Sequence, residues 1–233
     1  MTDTLLEYYQ QRAAEYEKVY VKPERQADLQ SLRTIVPAYF SERRVLEVAC
    51  GTGYWTRPVS ACATSVVAID LAAETLDVAR AQTERDARID YRIGDAFDLA
   101  GVSGTFDAGL VAFWWSHVTI AALHGFLTGL HKRLGAGATV LVMDNTYVDG
   151  SNHPITRTDA EGNTYQRRTL DSGATYEVLK NFPSPAAVRR AVVDAGGNEP
   201  AVTVLPYFWY ATYAVVGGAE ADSAVARGHH AAF

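Results

Sequence analysis

The sequence predicts a single α/β domain, a doubly wound and mostly parallel sheet with helices on both faces. Three observations point there. Short apolar runs such as "RRVLEVAC", "SVVAID" and "ATVLVMD" lack the alternation of half-exposed strands, so each is expected to be covered on both sides. Amphipathic stretches of helical period separate those runs. A glycine turn, "ACGTG", follows the first run immediately.

The elements follow in order. Residues 1–40 are expected to form a helical cap. Leu6, Tyr9, Ala13, Tyr16 and Tyr20 recur at spacings of three and four, Pro23 interrupts the pattern, and Leu29, Leu32 and Val36 line a second helix that should end before Pro37. Residues 41–144 form the expected binding core. Its strands lie in "RRVLEVAC", "SVVAID" (65–70), "IDYRIGDAF" before Asp95, "FDAGLVAFWW" (106–115) and "ATVLVMD" (138–144). Helices fill the gaps, one with Ile120, Leu123, Leu127, Leu130 and Leu134 on a common face and Gly135 and Gly137 at its end. Residues 145–183 read as a β-hairpin insertion after the fifth strand, "NTYQRRTL" and "ATYEVLKN" joined by "DSG". A connection of this length inside one domain suggests a lid. Residues 184–216 supply a closing helix capped by Ser184 and two more strands, and 217–233 an Ala/Gly-rich tail expected to be flexible.

The formal charge of −6 offers no basic field for nucleic acid. The first twenty residues carry charges throughout and read as neither a leader nor a membrane span. Cys50 and Cys62 make no disulfide framework and no metal-ligand cluster, so the expectation is a cytoplasmic protein without a metal, with a homodimer left open.

Chemistry enters at the glycine turn. Gly51 and Gly53 let the backbone approach a ligand. A dinucleotide site would place a third glycine where this chain has Thr56, and Glu47 upstream would repel a diphosphate. A nicotinamide-dependent oxidoreductase is therefore disfavoured, and the expected ligand carries an ammonium or sulfonium cation. Asp70 ends the second strand, where a carboxylate can take ribose hydroxyls or cap the next helix. Asp95, Ala96 and Phe97 follow the third strand, where an adenine could be met.

The motifs "VLEVACGTG", "VVAID" and "IGDAFDL", in this order over roughly residues 35–145, resemble those of the class I S-adenosylmethionine-dependent methyltransferases. Ala49 departs from the pattern, standing where the family has the first glycine. The resemblance implies a Rossmann-like, seven-stranded sheet and S-adenosyl-L-methionine as cofactor. It implies that Glu47, Ala49, Gly51 and Gly53 hold the methionyl amino end, that Asp70 takes the ribose, and that Asp95, Ala96 and Phe97 meet the adenine. Trp55, Leu71 and Phe113 complete the expected cofactor set. Tyr9, Arg12 and Tyr16 resemble the helix that small-molecule methyltransferases fold over the cofactor, with Arg12 on its carboxylate.

The acceptor is expected beyond the ends of the fourth and fifth strands. His117 is the candidate general base, against the reading that it merely opens the next helix. His124 and His131 are expected to be packing or surface residues. Trp114, Trp115, Asn145, Tyr147 and Tyr165 form the expected substrate set, favouring a small aromatic or heterocyclic acceptor methylated on O or N. His153, Arg157 and Arg167 are further lid candidates. The alternative is a cofactor-binding or regulatory protein of the same fold without catalysis.

Overall fold

A computed structural model describes residues 3–83 and 86–216; the predicted tail lies outside these residues. The cap begins with α1, Asp3–Arg12, and tightens into a 3₁₀ segment over Ala13–Tyr20. One continuous helix was expected here. A further 3₁₀ turn, Pro23–Arg25, leads into α2, Gln26–Tyr39, which runs through Pro37 instead of stopping before it. A proline so close to a helix end removes a single backbone donor, and burial of Leu29, Leu32 and Val36 holds the last turn.

The core then alternates as expected: β1 (Arg44–Val48), α3 (Thr56–Ser60), β2 (Ser65–Asp70), α4 (Ala73–Gln82), β3 (Ile89–Ile93), β4 (Ala108–Ala112), α5 (Ile120–Leu134) and β5 (Thr139–Asn145). β4 stops three residues before the predicted end. Phe113 takes φ 60°, which turns the chain out of the sheet, and Trp115–His117 forms a 3₁₀ turn. The insertion contains the expected hairpin, β7 (Thr164–Thr169) with β8 (Thr175–Leu179), and adds a third strand, β6 (Ile155–Thr158), to make a separate antiparallel sheet. The polar β6 gave no apolar signal in the sequence; all four of its residues are exposed. α6 (Pro185–Asp194) starts at Ser184, whose hydroxyl accepts from the Ala187 amide, and β9 (Ala201–Val204) and β10 (Phe208–Ala214) close the chain.

The main sheet has seven strands in the order β3-β2-β1-β4-β5-β10-β9. The first five strands run parallel, and β10 is antiparallel to both of its neighbours. Successive strand residues feed opposite faces. Leu46, Val48, Val140 and Val142 pack with α5 and α6 on one side. Val45, Val66, Leu110 and Leu141 pack with α2, α3 and α4 on the other. His131 sits in the first of these layers, its Nδ1 bonded to the Ala195 carbonyl (2.8 Å) and its Nε2 to Tyr213 Oη (2.9 Å). Strand order reverses between β1 and β4, which places a ligand crevice beyond their carboxyl ends.

One buried ion pair fastens the insertion to the ends of β4 and β5. Lys180, just after β8, donates from Nζ to Asp144 Oδ1 (3.0 Å) at the end of β5 and to Ser116 Oγ (2.6 Å). The remaining Asp144 oxygen accepts from the Ser116 amide (2.9 Å). Lys180 and Asp144 are 3% and 0% exposed. Removing one partner strands the other as a bare buried charge, so Lys180→Met is expected to cost about 3–5 kcal/mol. Urea unfolding reads this as a lower midpoint; an unchanged midpoint would show that the lid is held by other contacts.

Candidate active site

The crevice at the strand-order reversal is built from four consecutive strand ends. After β1, the chain turns through Ala49 (φ 54°), Gly51 (φ 56°) and Gly53 (φ 74°). Ala49 adopts the left-handed backbone that its missing glycine would have taken without strain. Ala49 and Gly51 line the crevice. Gly53 does not. A side chain there would come within 2.6 Å of the Tyr91 hydroxyl and 3.1 Å of Ala79, so that glycine serves helix–strand packing instead of the ligand.

Asp70, at the end of β2, faces the crevice. One carboxylate oxygen accepts from the Gly51 amide and the other from the Ala72 amide, both at 2.9 Å. It therefore ties the glycine turn to the start of α4 and keeps free lone pairs. Burial raises its pKa, and the two amides oppose that rise. Leu71, Ala96, Phe113 and Trp114 supply apolar walls. Leu6, Ala72, Thr75 and Gly94 also line the crevice, and the sequence reading did not select them.

Besides Gly53, and Arg12 described below, four more expected cofactor residues stand outside the crevice lining. Glu47 is 1% exposed and lies beneath the turn, outside the lining. Burial pushes its carboxyl up to about 8, with the Asp70 carboxylate adding to the rise, so it is neutral where an anion was expected. Trp55 is a core residue, edge-on to Tyr20 and stacked near Phe113. Asp95 closes its own turn by accepting from the Phe97 amide at 2.9 Å. Phe97 is largely exposed, its ring set against Trp114 and Phe126. Asx-turn geometry engages one Asp95 oxygen locally, which no motif reveals.

A second chamber is lined in part by the insertion. It shares Tyr9, Tyr16, Phe113 and His117 with the crevice. Asn145 lines it, as does His153. Arg12 lines this chamber and not the crevice. Its guanidinium lies 5.5 Å from the Tyr8 ring centroid and 5.1 Å from that of Tyr16. Three expected substrate residues are absent from both spaces. Trp115 packs edge-on to Trp209, and Tyr147 packs against Phe182. Tyr165 donates to Asp159 (3.0 Å) under the Arg157 guanidinium. The reason is strand alternation: Tyr165 and Arg167 take one face of β7, so Gln166 and Arg168 face the chamber. Trp115, Tyr147 and Tyr165 thus do not converge there; the aromatics that line the chamber are Tyr9, Tyr16, Tyr20, Phe113 and Phe208. Lys22, Arg25, Ser151, Arg168 and Lys180 line it with them, a set that is scattered along the chain and so leaves no local signal.

His117 is 6% exposed and held at both nitrogens. Nδ1 bonds the Leu179 carbonyl (2.8 Å) and Nε2 meets Tyr9 Oη (2.8 Å). A carbonyl can only accept, so Nδ1 carries the proton and the Tyr9 hydroxyl donates to Nε2. Burial, then Lys180 and Arg168, drives the imidazole pKa well below its ordinary value. Burial drives the Tyr9 hydroxyl well above its own.

Among the described residues no His/Cys/Asp/Glu cluster could hold a metal, and no helix is long and apolar enough to cross a membrane. Residues 45–137 match a family model described as a methyltransferase domain. The chain is 37% identical over 91 residues to the ubiquinone biosynthesis O-methyltransferase of Xanthomonas axonopodis pv. citri, covering 36% of this chain and 38% of that one. The enzyme of the same name from Methylocella silvestris is 37% identical over 76 residues, 32% of this chain and 30% of its own. The chain thus spans about a third of the length of these curated relatives. Among solved structures, the DhpI–SAH complex superposes with TM-score 0.74 at 28% identity, covering 92% of this chain and 96% of that one. A DhpI–SAM–HEP complex superposes equally well, covering 91% and 99%. The PH0226 protein from Pyrococcus horikoshii OT3 shares the fold, with TM-score 0.68 at 18% identity over 86% of this chain and 98% of its own. With the strand order, the turn through Ala49 and Gly51, and Asp70 at the end of β2, these matches give residues 45–137 as a methyltransferase domain and support a class I S-adenosylmethionine-dependent methyltransferase.

Proposed function

We propose that the protein transfers a methyl group from S-adenosylmethionine to an oxygen or nitrogen of a small molecule seated in the chamber under the lid. The observation that carries this reading is the pair of joined spaces. A crevice with one carboxylate and apolar walls opens, through Tyr9, Tyr16, Phe113 and His117, onto a polar chamber.

The crevice fits the cofactor by its donor set. The left-handed backbone at Ala49 and Gly51 lets the main chain line the crevice without intervening bulk. Asp70 retains acceptor capacity for hydroxyls, and Leu71, Ala96, Phe113 and Trp114 offer flat apolar contact. When bound, S-adenosylmethionine supplies a methyl group on a sulfonium, and the carbon–sulfur electron pair stays with sulfur as the acceptor's lone pair takes the carbon. The chain's own contribution is alignment and exclusion of water. Phe113 and Tyr16 wall the passage between the two spaces, and the lid roofs it.

His117 works here as a positioning residue. Its Nε2 lone pair already receives the Tyr9 hydroxyl, and its basicity is suppressed, so it fixes Tyr9 at the junction and does not stand free as a base. The ubiquinone biosynthesis relatives are O-methyltransferases by name, which favours oxygen over nitrogen for this chain.

Three results test the reading. Wild-type protein should bind S-adenosylhomocysteine in a calorimetric titration, and a tritiated-methyl screen of small acids, alcohols and phenols should find an acceptor; binding without any transfer would favour a regulatory protein. Asp70→Ala removes two hydrogen bonds at the crevice and should weaken that binding by about 1–3 kcal/mol; full affinity would exclude Asp70 from the ligand contacts. For Glu47, the folded-state value of about 8 exceeds its ordinary 4.5, so the folded chain keeps a proton that the unfolded chain releases. Its contribution is complete at low pH and is lost as pH rises toward 8, by at most about 1.4 kcal/mol per pH unit. Glu47→Gln should therefore flatten the decline of melting temperature between pH 5 and 8 while leaving cofactor affinity in place. A marked loss of affinity would mean that an anionic Glu47 holds the ligand.

A further inference from the structure

We propose that the chamber under the lid is an oxyanion site, so that the small acceptor enters carrying a phosphoryl or carboxyl group bound by Arg12, Lys22, Arg25 and Arg168. This rests on the two-space reading above and names the acceptor class for it.

The chamber gathers five cationic side chains in a chain of net charge −6. Lys180 is matched by Asp144. The other four make no salt bridge among the described residues, although the described surface pairs many of its charges: Arg44 with Asp107, Arg88 with Asp86, Arg92 with Asp90 and Arg157 with Glu177. Unpaired cations on an open surface need no explanation. These are not on an open surface. Arg25 is 5% exposed, its guanidinium fastened to the carbonyl and hydroxyl of Ser151 at 2.9–3.0 Å, and Lys22 donates to the same carbonyl.

Arg168 gives the second observation. One guanidinium nitrogen donates to Gln166 Oε1 (2.8 Å), while its buried Nε has no partner at all. A buried N–H left unbonded is costly, and a charged one more so. Arg12 likewise meets only the rings of Tyr8 and Tyr16 and has no hydrogen-bond acceptor among the described residues. Donors held ready in a region of concentrated positive charge are complementary to an oxyanion, and guanidinium forks suit phosphoryl and carboxyl groups in particular. The field is also visible in the neighbours. His153 is shifted down first by burial and then by Arg168 and Lys22; burial leads the shift at Lys22 as well, followed by Arg25.

An ionised acceptor also resolves the proton question left by His117. An oxyanion already carries the lone pair that makes the new oxygen–carbon bond, so no proton has to leave and no base is needed. The charges balance across the junction: the sulfonium becomes a neutral thioether, and the acceptor gives up one negative charge as its oxygen–carbon bond forms.

The test titrates full-length protein with inorganic phosphate and, separately, with acetate, each with and without saturating S-adenosylhomocysteine. Wild type should bind at least one of the two anions, and added salt should weaken the binding. Arg168→Gln should weaken it by about tenfold or more, the loss of one charge-assisted hydrogen bond. Arg168→Lys should recover part of it, and all three proteins should bind S-adenosylhomocysteine alike. A preference for phosphate or for acetate identifies the headgroup. If neither anion binds wild type, or if Arg168→Gln binds them as wild type does, marking an adventitious ion only, the oxyanion site is wrong. Failure of S-adenosylhomocysteine alone would overturn the cofactor reading, and the anion arm run without it would still decide this one.

Discussion

The architecture of the site depends on one buried contact, Lys180 with Asp144 and Ser116. Asp144 ends β5, Ser116 follows β4, and Lys180 follows the last lid strand, so three separate segments meet at one desolvated charge pair. Such a pair is costly to bury, and it persists because nearly every polar atom in it is satisfied. The Asn145 amide takes the same Asp144 oxygen as Lys180, and the Ser116 carbonyl accepts from the Asn181 amide. Its consequence reaches the site within two bonds. With Lys180 fixed, the neighbouring Leu179 carbonyl is fixed, and that carbonyl sets the tautomer of His117. His117 in turn orients Tyr9, which stands at the junction of crevice and chamber.

The two spaces divide the electrostatics between them. The crevice holds the Asp70 carboxylate and no cation, whereas the chamber holds the cations. A net charge of −6 conceals this, because a sum over the chain says nothing about which charges the fold brings together. Glu47 shows the same logic in reverse. Read in sequence it is an anion beside a binding turn; buried under that turn, its carboxyl is pushed toward the protonated form.

Backbone strain is concentrated where the chain leaves the sheet. Ala49 after β1 and Phe113 after β4 both take left-handed conformations that ordinary side chains avoid, at a cost of order 1–3 kcal/mol each. Both line the crevice. The surrounding contacts enforce these turns: the Cys50 amide bonds the Ile69 carbonyl at 3.0 Å, and the Phe113 amide bonds the Met143 carbonyl at 2.8 Å.

Much of this was legible in the order of residues. Continuous apolar runs located the five parallel strands, helical periods located α4, α5 and α6, and Ala49, Gly51 and Asp70 were placed at the crevice because strand ends and glycine turns are local features. The lid was foreseen as an insertion, but its polar strand β6 was not, since exposed residues leave no hydrophobic trace. What only the tertiary structure decided was facing and convergence. Alternation along β7 separates Tyr165 and Arg167 from Gln166 and Arg168, yet it cannot say which pair turns inward until β8 and Lys180 dock the sheet. Arg25 meets Ser151 across 126 positions, a contact that no window along the chain can register. Local periodicity determined the elements; long-range packing determined which charges share a chamber.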